Sequence, residues 1–189
     1  MSKAVIFFAP GLEECEGLLC VDILRRAGVE VTIAAVGGQK TVTSARGIHV
    51  VADALAEELD YAAFDACILP GGIPGVPNLK ADATVKKVCQ DFAAGGKLVA
   101  AICAAPTALA AFGVLSGKKA TVYPGMDADL TAAGAAALAD DDILGHENLL
   151  VPFTDKLDFL CAAAPLRAVP VSRSVHPAQC TDGGTANNR

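Results

Sequence analysis

The feature that most constrains the fold of this 189-residue chain is the stretch LVAAICAAPTALA, residues 98–110. Its first five residues are all apolar, which is typical of a strand buried on both faces of a parallel sheet. Cys103 follows at once, and Pro106 fits the first turn of a helix, where its missing N–H costs no hydrogen bond. The sequence therefore predicts a cysteine at the turn between a buried strand and a helix.

Position alone leaves two interpretations of Cys103 open. At the start of a helix, the helix dipole and the free N–H groups favour the thiolate, which is the nucleophilic form. A similar strand–nucleophile–helix turn carries the nucleophile of elbow-type hydrolases, although alanines replace the flanking glycines here. Cys103 is equally well interpreted as a small apolar residue of the core, because free cysteine is among the most buried residue types.

The rest of the chain alternates strand-like and helix-like segments. The pattern predicts strands over 4–9, 29–36, 63–69 and 120–122, a hairpin of 41–44 with 48–52, and helices over 13–27, 83–94, 107–112 and 126–139. This order predicts a doubly wound α/β architecture with a parallel sheet. Reactive groups in such sheets gather at the carboxyl ends of the strands. The strand ends that precede residues 10–16, residues 70–72 and Cys103 can therefore converge on one pocket.

Two of these strand ends carry groups that suit a reactive thiol. Gly71 and Gly72 can expose backbone N–H groups, which together with the N–H of Ala104 would form an oxyanion hole. The alternative for the glycines is an ordinary strand-ending turn. A carboxyl group from the acidic segment 13–16 would have a raised pKa beside a thiolate and would keep a proton to donate to the sulfur. The alternative for these acids is a solvated first turn of a helix.

Composition and charge exclude several classes of protein. The net charge is −6 and no block of Lys or Arg occurs, which argues against nucleic acid as a partner. No apolar run reaches the length of a membrane span, and the short apolar N-terminus is interpreted as a first strand rather than a signal peptide. Seven cysteines without C-x-x-C pairing, and three histidines without ligand spacing, predict a cytoplasmic protein with reduced thiols and no metal or cofactor.

The motifs FAPGLEECE, VDILRRAGVEVT, LPGGIPG and AAICAAPTALA occur in this order in the chain. Together they resemble the ThiJ/PfpI superfamily, and most closely its Parkinson-disease protein deglycase branch. The resemblance covers residues 1 to about 139. It implies an α/β fold of the flavodoxin-like type, a three-layer sandwich with a mainly parallel central sheet, that is usually a homodimer.

The resemblance also implies roles for individual residues. Cys103 is the reactive, easily oxidised thiol on a strained elbow, and Glu16 is its protonated partner. Gly72 and Ala104 supply the N–H groups of the oxyanion hole.

Three further positions correspond to the mouth of the family's pocket. Arg26 and Arg46 match arginines that line it in relatives, although Arg26 is as well explained as a charge at the C-terminus of a helix. Tyr123 stands where animal relatives carry a histidine. At its ordinary pKa, a tyrosine cannot replace that histidine in acid–base chemistry near neutral pH.

The activity implied is that of a cofactor-independent glyoxalase or deglycase, which acts on methylglyoxal, its adducts or glycated protein. The Cys103 thiolate would add to the aldehyde carbon to give a hemithioacetal, Glu16 would move a proton, and water would release a 2-hydroxy acid. The alternative is a redox-sensing holdase chaperone in which Cys103 oxidises to sulfinate. A third hypothesis is an inactive structural relative.

The C-terminal part departs from the family pattern. Residues 1–139 are predicted to form the α/β domain, and residues 140–189 a divergent segment without the family's Ser-Arg-Gly-Pro-Gly-Thr turn and closing helix. A strand is predicted at 149–151 and a short helix at 156–164. Disorder is predicted from about residue 175, because that end is polar, aperiodic and contains Pro and Gly.

Overall fold

A computed structural model of the chain describes residues 2–138. The predictions made for the segment 140–189, including its strand, its helix and its disorder, lie outside these residues. Within the described part, no helix is both long and apolar enough to cross a membrane.

The centre of the fold is a five-stranded parallel sheet. Its strands in chain order are β1 (Lys3–Phe8), β2 (Glu30–Ala35), β5 (Ala54–Leu55), β6 (Ala66–Leu69) and β7 (Leu98–Ala101), and their order across the sheet is β5-β2-β1-β6-β7. All four pairings are parallel. The predicted flavodoxin-like α/β class is confirmed, because the strand order reverses direction beside β1, as in a doubly wound sheet.

Helices cover both faces of this sheet. Helix α1 (Glu14–Arg26) packs on one face, and α2 (Gly75–Ala81), α3 (Ala83–Ala94) and α4 (Pro106–Ala111) pack on the other. Strand β1 is apolar from Ala4 to Phe8, since its successive side chains point to opposite faces and both faces are buried. The result is a three-layer sandwich with a separate apolar core on each side of the sheet.

Local signals explain where the main helices begin and end. Helix α1 has two acids in its first turn and two arginines in its last turn, as the helix dipole favours, and Gly28 with φ 83° follows its end. The Asp82 side chain accepts a hydrogen bond of 2.9 Å from the N–H of Val85 and so caps α3. Pro106 occupies the first turn of α4, as predicted.

The predicted hairpin is confirmed as β3 (Thr41–Thr43) and β4 (His49–Val51), which pair antiparallel. Main-chain hydrogen bonds hold it against the loop that follows β1. Gly11 donates to the carbonyl of Thr43 at 2.8 Å, and Ala45 donates to that of Leu12 at 2.8 Å. The hairpin therefore lies beside the loop that leads into α1.

The prediction of one long helix over 126–139 is wrong. The structure has a short helix, α5 (Asp127–Ala132), and then β9 (Ala136–Ala137), which pairs with β8 (Lys119–Ala120) in a small separate sheet. Gly134 has φ 77° and ends the helix, because a left-handed residue cannot continue it. The high helix propensity of alanine did not overcome this local stop signal.

Candidate active site

The strand ends that precede residues 10–16, residues 70–72 and Cys103 meet at one edge of the sheet. Strands β1, β6 and β7 are neighbours, so the loops that follow them leave side by side. The N–H of Glu13 donates to the carbonyl of Gly71 at 2.9 Å, and the N–H of Ile102 donates to that of Leu69 at 3.1 Å. These bonds fix the segment 13–16, the turn 70–72 and Cys103 relative to one another.

Cys103 has a strained backbone. Its φ is 60°, and it is the one non-glycine residue with positive φ among residues 2–138. Such a conformation costs about 1–3 kcal/mol and persists only where the surroundings hold it. The carbonyl of Cys103 accepts a 2.8 Å hydrogen bond from the N–H of Tyr123, and Ala105 donates to Ile102 at 2.9 Å to close the turn. Strained residues of this kind cluster at functional sites.

Glu16 lies against Cys103 from the first turn of α1. Its side chain is buried, and its Oε2 accepts a hydrogen bond of 2.8 Å from the N–H of Gly71. A second hydrogen bond joins the carboxyl group to the Cys103 thiol. A Cβ at Gly71 would lie 2.5 Å from Oε2 and 2.8 Å from the Cys103 Cβ, so only glycine fits between the two groups.

The pKa of Glu16 is raised, mainly because burial disfavours the charged form. Its hydrogen bonds with Gly71 and Cys103 oppose this rise, and the charge of Glu13 adds to it. The sequence predicts this raised pKa, but from the charge of a neighbouring thiolate. The structure assigns the main cause to burial.

The predicted preference of Cys103 for the thiolate is not what the structure favours. The pKa of the thiol is raised to about 11, mainly by burial and in addition by the charge of Glu16 and its hydrogen bond to the thiol. Hydrogen bonds from the N–H groups of Ala104 and Gly72 act in the opposite direction. The dipole of α4 is a weak counterweight, because this helix has only 6 residues.

The thiol and the carboxyl group are hydrogen-bonded, so a proton can pass directly between them. Two of the three causes that raise the Cys103 pKa come from ionised Glu16, and both disappear when Glu16 takes the proton. A thiol beside a carboxylate and a thiolate beside a carboxylic acid have the same net charge. Proton transfer from sulfur to Glu16 therefore creates the nucleophile without adding charge to a buried site.

The predicted oxyanion-hole residues divide into two kinds. The N–H groups of Gly72 and Ala104 point at the Cys103 sulfur, and their role as an oxyanion hole stays a prediction. The N–H of Gly71 is instead donated to Glu16, so its proposed place in the oxyanion hole is corrected to that of a residue that positions the acid. Gly72 has φ 100°, and a Cβ there would overlap the main chain of Glu13.

The three predicted pocket-mouth residues lie in different places. The main chain of Tyr123 is bonded to Cys103, and its side chain is exposed. Arg46 is exposed on the β3–β4 turn, next to the loop that precedes Glu13. Arg26 lies ten residues after Glu16, or about 15 Å along α1, and approaches Asp22 at 3.8 Å. Within one chain, the structure supports the alternative interpretation of Arg26 as a helix C-terminal charge.

The sequence did not indicate how two residues, Gly71 and Glu13, position Glu16 and shift its pKa. Gly71 separates Glu16 from Cys103, and Glu13 both holds the Gly71 carbonyl and raises the pKa of Glu16. The paired glycines after a buried strand were the available signal for close approach, but which N–H faces which acceptor depends on three-dimensional register. Among residues 2–138, no three His, Cys, Asp or Glu side chains gather in a way that could hold a metal ion.

The fold and the site define a class of α/β protein in which a strained cysteine follows a parallel strand beside a buried glutamate. The sequence profile of the DJ-1/PfpI family matches residues 2–159. The chain belongs to the DJ-1/PfpI family, which confirms the resemblance seen in its motifs.

Individual relatives agree with this assignment. Protein dj-1beta of Drosophila melanogaster is 41% identical over 131 residues, which are 69% of this chain and 70% of that protein. Its crystal structure has a TM-score of 0.76 and 36% identity, covering 81% of this chain and 83% of the other. Deglycase TK1284 of Thermococcus kodakarensis is 37% identical over 136 residues, 70% of this chain and 79% of that protein.

A third relative is known in an oxidised form. The structure described as Toxoplasma gondii DJ-1, oxidized, has a TM-score of 0.69 and 30% identity over 81% of this chain and 83% of that chain. The chain spans less than two thirds of some longer relatives, among them 33% of the Arabidopsis thaliana protein DJ-1 homolog B.

Proposed function

We propose that this protein is a cofactor-independent glyoxalase or deglycase, which converts methylglyoxal or its adducts on protein to a 2-hydroxy acid through Cys103. The observation that carries the proposal is the hydrogen-bonded pair of Cys103 and Glu16, with two N–H groups directed at the sulfur. One relative in the family is named a deglycase. The pair supplies both a nucleophile and a proton carrier, which this chemistry requires.

The first step is addition of sulfur to the aldehyde. Glu16 accepts the thiol proton, and the sulfur attacks the aldehyde carbon of methylglyoxal to form a C–S bond. The carbonyl π electrons move to oxygen, and Glu16 returns the proton to this oxygen to give a neutral hemithioacetal. The N–H groups of Gly72 and Ala104, which face the sulfur, would stabilise the charge that develops on that oxygen.

The second step moves hydrogen within the adduct. Glu16 removes the proton from the former aldehyde carbon, and the neighbouring ketone carbon is reprotonated, which leaves a lactoyl thioester on Cys103. One carbon is oxidised and its neighbour is reduced, so no external oxidant or cofactor is needed. Water then cleaves the thioester to lactate and restores the thiol. Glu16 serves in each proton transfer, and its raised pKa suits a group that must both accept and donate.

Lactate formation from methylglyoxal by the full chain tests this proposal. Loss of methylglyoxal alone is insufficient, because the compound reacts with lysine and arginine side chains without catalysis. Lactate must therefore be quantified, with the Cys103→Ala variant as the control. Equal lactate from wild type and variant would overturn the proposal.

A second candidate is a redox-sensing chaperone, and the polar surroundings of the sulfur favour it. Two N–H donors and a carboxyl group with a raised pKa can each hydrogen-bond an oxygen of a Cys103 sulfinate. Mild peroxide is expected to add two oxygen atoms at Cys103 before any other cysteine of the chain changes. Peptide mapping by mass spectrometry measures this order, and unselective oxidation would contradict the candidate.

We also propose that the protein works as a homodimer. Three of the large apolar side chains exposed in the described part, Leu18, Ile48 and Val51, lie on α1 and the adjoining hairpin. Val51 is the most open of the three, with 70% of its surface accessible. Apolar side chains concentrated on adjacent elements mark an interaction surface.

Val51→Lys is expected to shift the protein from dimer to monomer, because a buried unpaired ammonium group would oppose association. Sedimentation velocity measures the change. Ile73→Lys is the matched control, since Ile73 is exposed but lies on the loop before α2. A monomeric wild type, or a Val51→Lys variant that remains dimeric, would contradict the proposed interface.

A further inference from the structure

Two cysteines away from the active site form a buried pair. Cys67 lies on β6 and Cys89 lies on the buried face of α3, and neither exposes any surface. A hydrogen bond joins their thiols. The mechanism proposed above uses neither residue.

The pair lies on the opposite side of the sheet from the two cysteines of α1. Cys67 and Cys89 belong to the core on the α3 side of the sheet, whereas Cys20 belongs to the core on the α1 side. Cys15 is exposed in the first turn of α1. The sheet therefore separates the Cys67–Cys89 pair from these two thiols.

We propose that Cys67 and Cys89 form a second redox site, a dithiol that hydrogen peroxide converts to a disulfide linking β6 to α3. One sulfur attacks a peroxide oxygen, the O–O bond breaks, and a sulfenic acid and one water result. The second sulfur then attacks the sulfenic sulfur, the S–OH bond breaks, and another water leaves with the remaining thiol proton. The two thiols lose two electrons in total, and the peroxide gains them.

Neither cysteine is open to solvent, and a cleft beside α3 is lined by residues next to Cys89 rather than by the pair itself. This cleft has a volume of about 280 Å³, and Val88 and Phe92, the neighbours of Cys89 on the buried face, are among the residues that line it. Tyr61 also lines the cleft, and its pKa is raised mainly by burial, with smaller contributions from Cys67 and Cys89. Because the thiols themselves are fully covered, a small outward movement of α3 must precede oxidation. The link is therefore expected to form more slowly than oxidation of the partly exposed Cys103.

The link would enclose part of the active site. The chain between residues 67 and 89 includes Gly71, which holds Glu16, and Gly72, which faces the Cys103 sulfur. A bond between the two ends of this segment would restrict its movement. Oxidation of the two core cysteines would thereby restrict the segment that positions Glu16 in the candidate active site.

Peptide mapping of the full chain tests the proposal. After treatment with hydrogen peroxide and alkylation of the remaining thiols, trypsin releases Cys67 in peptide 47–80 and Cys89 in peptide 88–97. The expected product is these two peptides joined, with a mass two hydrogen atoms below their sum and lost on reduction. It should appear after modification of Cys103, and equally in the Cys103→Ser variant.

Two substitutions serve as matched controls. Cys89→Ala should abolish the joined peptides, whereas Cys20→Ala, also at a buried cysteine, should leave them unchanged. Cys67→Val replaces the other partner with an apolar side chain of similar size and should also abolish the joined peptides. The two variants together keep the test decisive if one of them fails to fold. Peptides that stay unlinked while Cys103 is fully oxidised would overturn the proposal, as would a link of Cys67 to any cysteine other than Cys89.

Discussion

Cys103→Ala is expected to reduce lactate formation from methylglyoxal on the order of 10³-fold or more, because no other group can form the covalent adduct. The variant should keep its fold. Alanine is small enough for the elbow, and the positive φ of residue 103 strains alanine much as it strains cysteine. Lactate assays and thermal unfolding by circular dichroism, measured on the same samples, separate lost chemistry from lost structure.

Cys20→Ala is the matched control for this prediction. Cys20 is buried on α1, its pKa is raised to about 12, and it feels the charge of Glu16 without lying on the elbow. Activity is expected to survive this change, apart from any loss of folded protein. Retention of more than about a tenth of the activity by Cys103→Ala would contradict a covalent role for the sulfur.

Glu16→Gln is expected to move two properties of the site in opposite directions. Lactate formation should fall by about 10²–10⁴-fold, because the proton carrier is lost. The pKa of Cys103 should fall below its present value of about 11, because the charge and the accepting hydrogen bond of Glu16 both raise it. Alkylation of Cys103 by iodoacetamide near neutral pH should therefore become faster while catalysis becomes slower.

This opposition distinguishes a proton carrier from a structural residue. A general collapse of the site would change alkylation and lactate formation without the predicted opposite signs. Glu13→Gln is the control, since it removes the same charge three residues away and keeps the main-chain hydrogen bond to Gly71. The Glu13 side chain is only a minor contributor to the pKa of Glu16. Slower alkylation in Glu16→Gln than in wild type would contradict the proton-transfer description.

The same variant is expected to change how stability depends on pH. The pKa of folded Glu16 lies above its ordinary value of 4.5, so the folded state holds this proton more tightly than the unfolded state does. The stabilising effect is complete below 4.5 and is lost as the pH rises through the raised pKa. Relative to Glu16→Gln, the wild type should thus lose free energy of unfolding between acidic and neutral pH. Urea titrations across this range measure the difference.

Much of the fold was predictable because its signals are local. The apolar run before Cys103, the helix start at Pro106 and the hairpin around Gly47 were each indicated by a few adjacent residues. The short helix α2 was missed, because Pro-Gly and Asn dominate its start and resemble a loop. The helix over 126–139 was predicted too long, because alanine propensity was given more weight than Gly134.

The sequence was sufficient to predict which residues meet at the site, but not how their pKa values are shifted. Parallel strand order places Glu16, Gly72 and Cys103 at one edge, and this follows from topology. The direction of the Cys103 pKa shift does not follow from sequence, because burial and the Glu16 charge outweigh the short helix α4. The donor–acceptor match of Gly71 with Glu16, rather than with an oxyanion, likewise depends on atomic placement.

The missing side chain at residue 71 has a consequence for attempts to build such a centre elsewhere. Glu16 and Cys103 are in contact only because the loop after β6 has no side chain at Gly71, between them. Copying the turn around Cys103 onto another scaffold would transfer the thiol without Glu16. If the glutamate were added as well, any residue other than glycine at the position of Gly71 would still place a Cβ between the two groups. The smallest transplantable unit is therefore three loops held in fixed mutual alignment by neighbouring strands, rather than a nucleophile motif.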